Sequence, residues 1–220
     1  MNDLHGHKWL IIANGLAEIY QKKSLQSWMK GRISVALDGA AHLLAANFLR
    51  PDILLGDFDS IDKSLIFHWK SLGVHCLHMG SQELTDMEKS LRFAICHGAR
   101  NIYIINASGG RMDHSLGNVF FLKKYASRKV RIILHSGGQC LEYLWNQTRT
   151  LHSHSGAHCG FFGMTNARIT SHGLRYEMDN FPLKMGGQAS IANQFVLTHA
   201  KIIVHGACLA SYGFLIPQPF

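Results

Sequence analysis

Over roughly the first 130 residues, short apolar runs alternate with longer stretches whose apolar residues recur at helical spacing. Trp9–Ala13, Ile33–Leu37 and Asp52–Leu55 are such runs, and they close at Asn14-Gly15, Asp38-Gly39 and Gly56. A short apolar run ended by turn residues predicts a buried strand. Ser24–Lys30, Ala40–Phe48 and Ser64–Leu72 predict helices, with Pro51 stopping the second and Gly73 at the C-terminus of the third. Val74–Met79 predicts a fourth strand. Thr85–His97 carries Met87, Leu91, Ala94 and Ile95 as a helical stripe, and Gly98 closes it. A strand over Asn101–Asn106 and a helix over Ser115–Ala126 follow. Strands alternating with helices imply a parallel sheet covered on both faces, which binds its ligands at the carboxyl ends of the strands.

Near residue 130 the pattern changes. Val130–Leu134, Cys140–Trp145, Ala167–Ser171, Leu174–Met178, Gln188–Ala192 and Lys201–His205 read as short strands. Turn pairs such as Gly137-Gly138, Ser155-Gly156, His172-Gly173 and Gly186-Gly187 separate them, and no helical stripe remains. That texture predicts an all-β, sandwich-like or barrel-like domain. The predicted organisation is α/β for 1–129 and β-sandwich for 130–220.

Composition narrows the partners. Of 220 residues, 47% are hydrophobic and 16% charged, enough apolar matter for a core and too little charge for disorder. No apolar run approaches the ~20 residues of a membrane helix, and the N-terminus lacks the order of a signal peptide. The five cysteines at 76, 96, 140, 159 and 208 form no Cys-x-x-Cys, which suits a reduced, cytoplasmic protein. A net charge of +8 suits an anionic partner. The basic residues are dispersed, which weakens the case for a nucleic acid relative to a nucleotide.

The acidic residues are few and placed at strand ends. Asp57 and Asp59 follow the third predicted strand, Asp38 follows the second, and Asp86 opens the helix with Lys89 one turn on. Each has a plain structural reading: Asp38-Gly39 as a turn, Thr85 as an N-cap with Glu88 completing a capping box. Four carboxylates on one sheet edge nonetheless repel one another unless a cation intervenes. Mg²⁺ with phosphates is the usual client of such oxygens. Gly109-Gly110-Arg111 falls on the same edge, where glycines admit close backbone approach and arginine matches phosphate geometry. The chain contains no Gly-Lys and no Gly-x-Gly, so the standard phosphate loops are absent.

Four blocks, Leu37-Asp38-Gly39-Ala40-Ala41-His42, Pro51-Asp52-Ile53-Leu54-Leu55-Gly56-Asp57-Phe58-Asp59-Ser60, Thr85-Asp86-Met87-Glu88-Lys89 and Gly109-Gly110-Arg111-Met112-Asp113-His114, resemble in order and spacing the signature blocks of thiamine pyrophosphokinases. Thr170–Tyr176 and Ser190-Ile191-Ala192-Asn193 resemble the family's later segments more loosely. The resemblance implies an α/β nucleotide domain, a thiamine-binding β-sandwich and a homodimer with active sites at the interface. It implies attack of the thiamine hydroxyl on the β-phosphorus of ATP, with AMP leaving. Asp57, Asp59 and Asp86 would hold Mg²⁺ with Asp38 close by, and Lys89 and Arg111 would meet phosphates. Asp113 would orient substrate, with Asp113 and Asp86 both open to the role of base. Gly39, Gly109, Gly110 and His114 would line the nucleotide site, and Asn193 would lie near thiamine. The chain departs from the family at Ala40-Ala41-His42, where Gly-Ala-Asn is usual, and at Ala192, where serine is usual.

Other readings use the same residues. A pyrophosphokinase for another alcohol, such as a pterin, fits the ATP side equally. A haloacid-dehalogenase-type phosphatase would use Asp57 and Asp59, but it needs a later adjacent aspartate pair, and the chain has no Asp-Asp. A basic nucleic-acid binder is opposed by the acidic edge. His152, His154, His158 and Cys159 have a zinc-like residue set without a standard spacing.

Overall fold

The computed structural model of the chain describes residues 7–15, 22–81 and 83–213. The polar N-terminal residues 1–6 lie outside the described residues. The chain divides into two compact units, the first running to Ser136 and the second from Gly137.

The first unit contains β1 (Lys8–Ile12), α1 (Lys22–Met29), β2 (Ile33–Leu37), α2 (Ala40–Ala46), β3 (Ile53–Gly56), α3 (Lys63–Ser71), β4 (His75–His78), α4 (Asp86–Cys96), β5 (Asn101–Ile105), α5 (Met112–Tyr125) and β6 (Arg131–Ser136). Its strands lie in the order β6-β5-β1-β2-β3-β4, and every pairing is parallel. The chain winds outward from β1 to β4, then returns to place β5 on the other side of β1. The order therefore reverses between β1 and β5, and the loops after these strands diverge there. The apolar runs are buried: Trp9 to Ile12 and Ile53 to Leu55 are wholly inaccessible. Each such side chain contributes about 1.5–3 kcal/mol of burial free energy. That rigid floor fixes where the strand ends point. β6 pairs with β5, so the first unit runs one strand past the expected boundary at 130.

The second unit is antiparallel β: β7 (Gln139–His152), β8 (His158–Gly163), β9 (Ala167–His172), β10 (Phe181–Leu183), β11 (Ser190–Gln194) and β12 (His199–Gly213). β12 pairs with β7 along its length. Its other edge pairs with β9 and then β8, while β10 joins β9 and β11 joins β8. Buried and exposed positions alternate along β9 and much of β12, placing Ile169, Ile202 and Val204 inside.

Two local expectations fail here. His158–Gly163, absent from the predicted strands, is a strand with Phe161 in the core. Leu174–Met178 was read as a strand and is a turn with a single bridge, Leu174 to Phe195. Side chains take the backbone groups a ladder would use. The Glu177 carboxylate accepts from the Gly173 and Leu174 amides at 2.6 and 3.2 Å and from Ser171 Oγ at 2.9 Å.

Candidate active site

The carboxyl ends of β1, β2, β3 and β5 open into a cleft of about 870 Å³. Asp38, Asp57, Asp59, Asp86, Lys89 and Arg111 all line it, as do Gly39, Gly109, Gly110, Asp113 and His114. All the residues that the sequence assigned to the nucleotide side thus share one cavity of the first unit.

Within it, Asp38, Asp57 and Asp86 present oxygens that lie within 4.8 Å of one another. This is the one group of three or more such ligands among the described residues, so the His152, His154, His158 and Cys159 set does not assemble. Burial pushes the Cys159 thiol up to about 12, which further disfavours the thiolate a metal needs. Asp38, expected merely near the metal, is a member of the trio. Asp59 is outside it and exposed. Phe58 explains the split: its left-handed backbone (φ 60°) breaks the extended alternation between Asp57 and Asp59. The Asp59 amide instead donates to Asp57 Oδ1 at 3.3 Å, and the charge of Asp57 raises the pKa of Asp59.

Asp38 is the buried member, 6% exposed. Its Oδ2 accepts from Ser60 Oγ at 3.2 Å, and its Oδ1 is buried without a hydrogen-bond partner among the described residues. Burial holds its pKa above the usual carboxylate range, and the charges of Asp86 and Asp57 add to the effect. Gly56 makes room for it, since a Cβ there would stand 2.8 Å from Asp38 Oδ1. A buried carboxylate oxygen with no donor, facing two more carboxylates, fits a hard divalent cation such as Mg²⁺.

Thr85 caps α4 by accepting from the Glu88 amide at 3.2 Å. The expected return bond of a capping box is not what Glu88 makes. Its Oε1 accepts from Lys124 Nζ and from Tyr125 OH at 2.5 Å, tying α4 to the end of α5. Lys89 Nζ donates to Asp86 Oδ1 at 2.9 Å and to the Met79 carbonyl at 2.7 Å.

The glycine turn after β5 runs through two left-handed residues, Gly109 (φ 82°) and Gly110 (φ 75°). Next to it the exposed Arg111 grips Asp113 through Nη2 and through Nε at 3.1 Å. The guanidinium holds the Asp113 carboxyl down to about 2. Asp113 Oδ1 also accepts from the His114 amide at 3.0 Å, at the start of α5.

Sequence reasoning missed the loop after β1. Gly15 donates to the Asn106 carbonyl at 2.6 Å, and a Cβ on it would lie 2.2 Å from the Ser108 carbonyl. Asn106, left-handed at φ 56°, donates to the Ala13 carbonyl at 3.1 Å, so β1 and β5 are latched where the cleft begins. The Asn14-Gly15 pair was visible as a turn; its long-range contact was not.

Asn193, in the second unit, is buried. Its Oδ1 accepts from the Tyr176 and Gln194 amides at 3.0 and 2.9 Å, and its Nδ2 donates to the Tyr176 carbonyl at 2.7 Å. It staples the 174–178 turn to β11.

Residues 24–134 match the family described as thiamin pyrophosphokinase, catalytic domain, and residues 148–208 match its vitamin B1 binding domain. The chain belongs to the thiamin pyrophosphokinase family. Among curated relatives, thiamine pyrophosphokinase 1 of Oryza sativa subsp. japonica is 31% identical over 195 residues, covering 76% of this chain and 73% of that protein. Thiamin pyrophosphokinase 1 of Caenorhabditis elegans is 26% identical over 207 residues, covering 84% and 79%. The fold is that of the thiamine pyrophosphokinase of Bacillus subtilis, with TM-score 0.82 at 20% identity over 94% of this chain and 98% of that one. The Candida albicans enzyme gives TM-score 0.80 at 20% identity, covering 94% and 90%. For a thiamin pyrophosphokinase, then, the acidic trio and the Arg111 turn lie within the catalytic-domain match, and Asn193 within the B1-binding match.

Proposed function

We propose that this chain transfers the pyrophosphoryl group of ATP to the hydroxyl of thiamine, giving thiamine diphosphate and AMP, with Mg²⁺ held by Asp38, Asp57 and Asp86. The observation that carries the metal part is the buried Oδ1 of Asp38, unpartnered among the described residues and facing two further carboxylates. The family membership carries the reaction and its two substrates. It does not favour a pterin acceptor or a phosphatase.

In this reading the thiamine oxygen forms a bond to the β-phosphorus while the bond from that phosphorus to the α–β bridging oxygen breaks. AMP departs with that oxygen, and the hydroxyl proton passes to a base. Mg²⁺ bound by the trio supplies positive charge against the phosphates. The chain's own work is positioning and charge placement. The paired glycines at 109 and 110 let the backbone come close to a phosphate, and Arg111, exposed and planar, is free to exchange Asp113 for a phosphate in a bidentate grip. Asp113, held at about 2, is a weak proton acceptor while Arg111 grips it. Asp59, beside the trio but outside it, is placed to order water or substrate rather than to complete the inner set.

The family resemblance also supports a homodimer in the cytoplasm. Five free thiols suit a reducing compartment. No described helix is long and apolar enough to cross a membrane. Light scattering in solution reads the oligomeric state.

The deciding experiment incubates the protein with ATP, Mg²⁺ and thiamine and identifies the nucleotide product. AMP formed only with thiamine present is the expected result. ADP, or phosphate released without thiamine, overturns the reading.

A further inference from the structure

We infer that Lys89 is a positioning residue that fixes the Asp86 carboxylate within the acidic trio and offsets its charge, rather than a ligand of the nucleotide's phosphates. The inference rests on the reading of the cleft as a magnesium-nucleotide site.

Three observations carry it. First, the Lys89 side chain is 5% exposed, although it borders the cleft. A lysine that serves phosphate must present its ammonium to the ligand, and this one is turned inward. Second, two of its three donors are spent, on Asp86 Oδ1 at 2.9 Å and on the Met79 carbonyl at 2.7 Å. Met79 follows β4 and Asp86 opens α4, so one ammonium pins the end of a strand to the first residue of a helix. Third, the trio needs a countercharge. The oxygens of Asp38, Asp57 and Asp86 lie within 4.8 Å of one another. Without an opposing charge, assembling three carboxylates before metal arrives is costly.

The spacing explains how the sequence arranges this. Asp86 and Lys89 are three apart at the start of α4, which places them on one face. Thr85 fixes the first turn of the helix, so the Asp86 side chain starts from a defined backbone. Burying an ammonium is unfavourable unless a carboxylate and further acceptors meet it, and here both do. To reach a phosphate, Lys89 would give up both bonds and leave Asp86 without its brace. Countercharge and metal therefore compete for the same carboxylate, which keeps the site preformed in the metal-free protein.

The test compares wild type with Lys89→Met, Lys89→Arg, Asp86→Asn and the double Lys89→Met/Asp86→Asn. Melting temperatures are measured in chelator and again with Mn²⁺ alone, and kcat and the KM for ATP at saturating Mg²⁺. For Lys89→Met the melting temperature in chelator is expected to fall by about 5–10 °C. The rise produced by Mn²⁺ is expected to exceed that of wild type, because the cation replaces the lost charge. kcat is expected to fall by about tenfold or more with the KM for ATP within about twofold. The double variant should lose less than the sum of the singles. If Lys89→Met does not fold, Lys89→Arg decides: reduced kcat at a wild-type KM supports positioning. A KM for ATP raised about tenfold, with an unchanged or higher melting temperature in chelator, would make Lys89 a phosphate ligand and overturn the inference. A wild-type chain that makes no AMP overturns the reading of the cleft instead. The chelator series and its double variant still show whether the Lys89–Asp86 bond holds.

Discussion

The acidic trio of the first unit and the Asn193 staple of the second are both buried polar clusters, and they are built in opposite ways. At Asn193, the amide oxygen accepts twice and an amide hydrogen is donated, with Tyr176 and Gln194 as the partners. At Asp38, one oxygen has no donor among the described residues, and the neighbours carry its own charge. A buried group that is satisfied stabilises the fold; one left unsatisfied costs free energy and needs a ligand to offset it. By that criterion Asp38 belongs to a site and Asn193 to the scaffold, although the resemblance placed Asp38 close to the metal and Asn193 near thiamine.

Asp57→Asn is the largest expected break in this contrast. It keeps the shape and removes one charge from the trio, so turnover should fall by roughly a hundredfold or more, on the order of 3 kcal/mol of transition-state stabilisation. The melting temperature in chelator should stay level or rise, because repulsion is relieved. Assay of AMP production and a melting curve on the same sample check both halves. Turnover near wild type would remove Asp57 from the metal set.

Asn193→Ala should do the reverse. It removes the buried side chain that holds the Tyr176 amide and carbonyl and the Gln194 amide, costing about 1–3 kcal/mol and lowering the melting temperature by about 5–10 °C. The KM for thiamine, measured well below the transition, should change little. A raised KM at unaltered stability would return Asn193 to the thiamine site.

The parallel unit was legible because its strands are buried on both faces and read as unbroken apolar runs, each ended by a turn. Placing Asp38, Asp57, Asp86 and Gly109-Gly110 on one edge followed from that alternation. Which three carboxylates meet was not legible, because it turns on the left-handed backbone of Phe58 and on the space left by Gly56. Neither has a local sequence signal beyond the glycine itself. The second unit was read less well, for a related reason. In 173–178 the Glu177 and Asn193 side chains take over the backbone hydrogen bonds, and one of those partners lies 17 residues away from the Tyr176 it serves. Short apolar stretches alone do not distinguish that turn from a strand.

Glu88 offers the finest test of the contrast, since it lies two residues from Asp86 yet its Oε1 accepts two hydrogen bonds. Lys124 and Tyr125 donate to its carboxylate and hold its pKa below the usual range, with the Lys124 bond the larger cause. A carboxylate depressed in the folded state contributes stability that is present above its unfolded pKa, about 4.3, and is lost as pH falls through the folded value. Glu88→Gln should therefore cost only about 1–2 kcal/mol near neutral pH, since the exposed Lys124 partner is screened. The gap to wild type should narrow as pH drops below about 4. Asp38 has the opposite sign: its raised pKa makes the charged form the costly one, so acidification through its range favours the fold. Melting curves of wild type and Glu88→Gln in chelator, taken from neutral to acidic pH, read the difference directly. A gap that widens on acidification would mean that Glu88 belongs with the unsatisfied trio rather than with the scaffold that carries it.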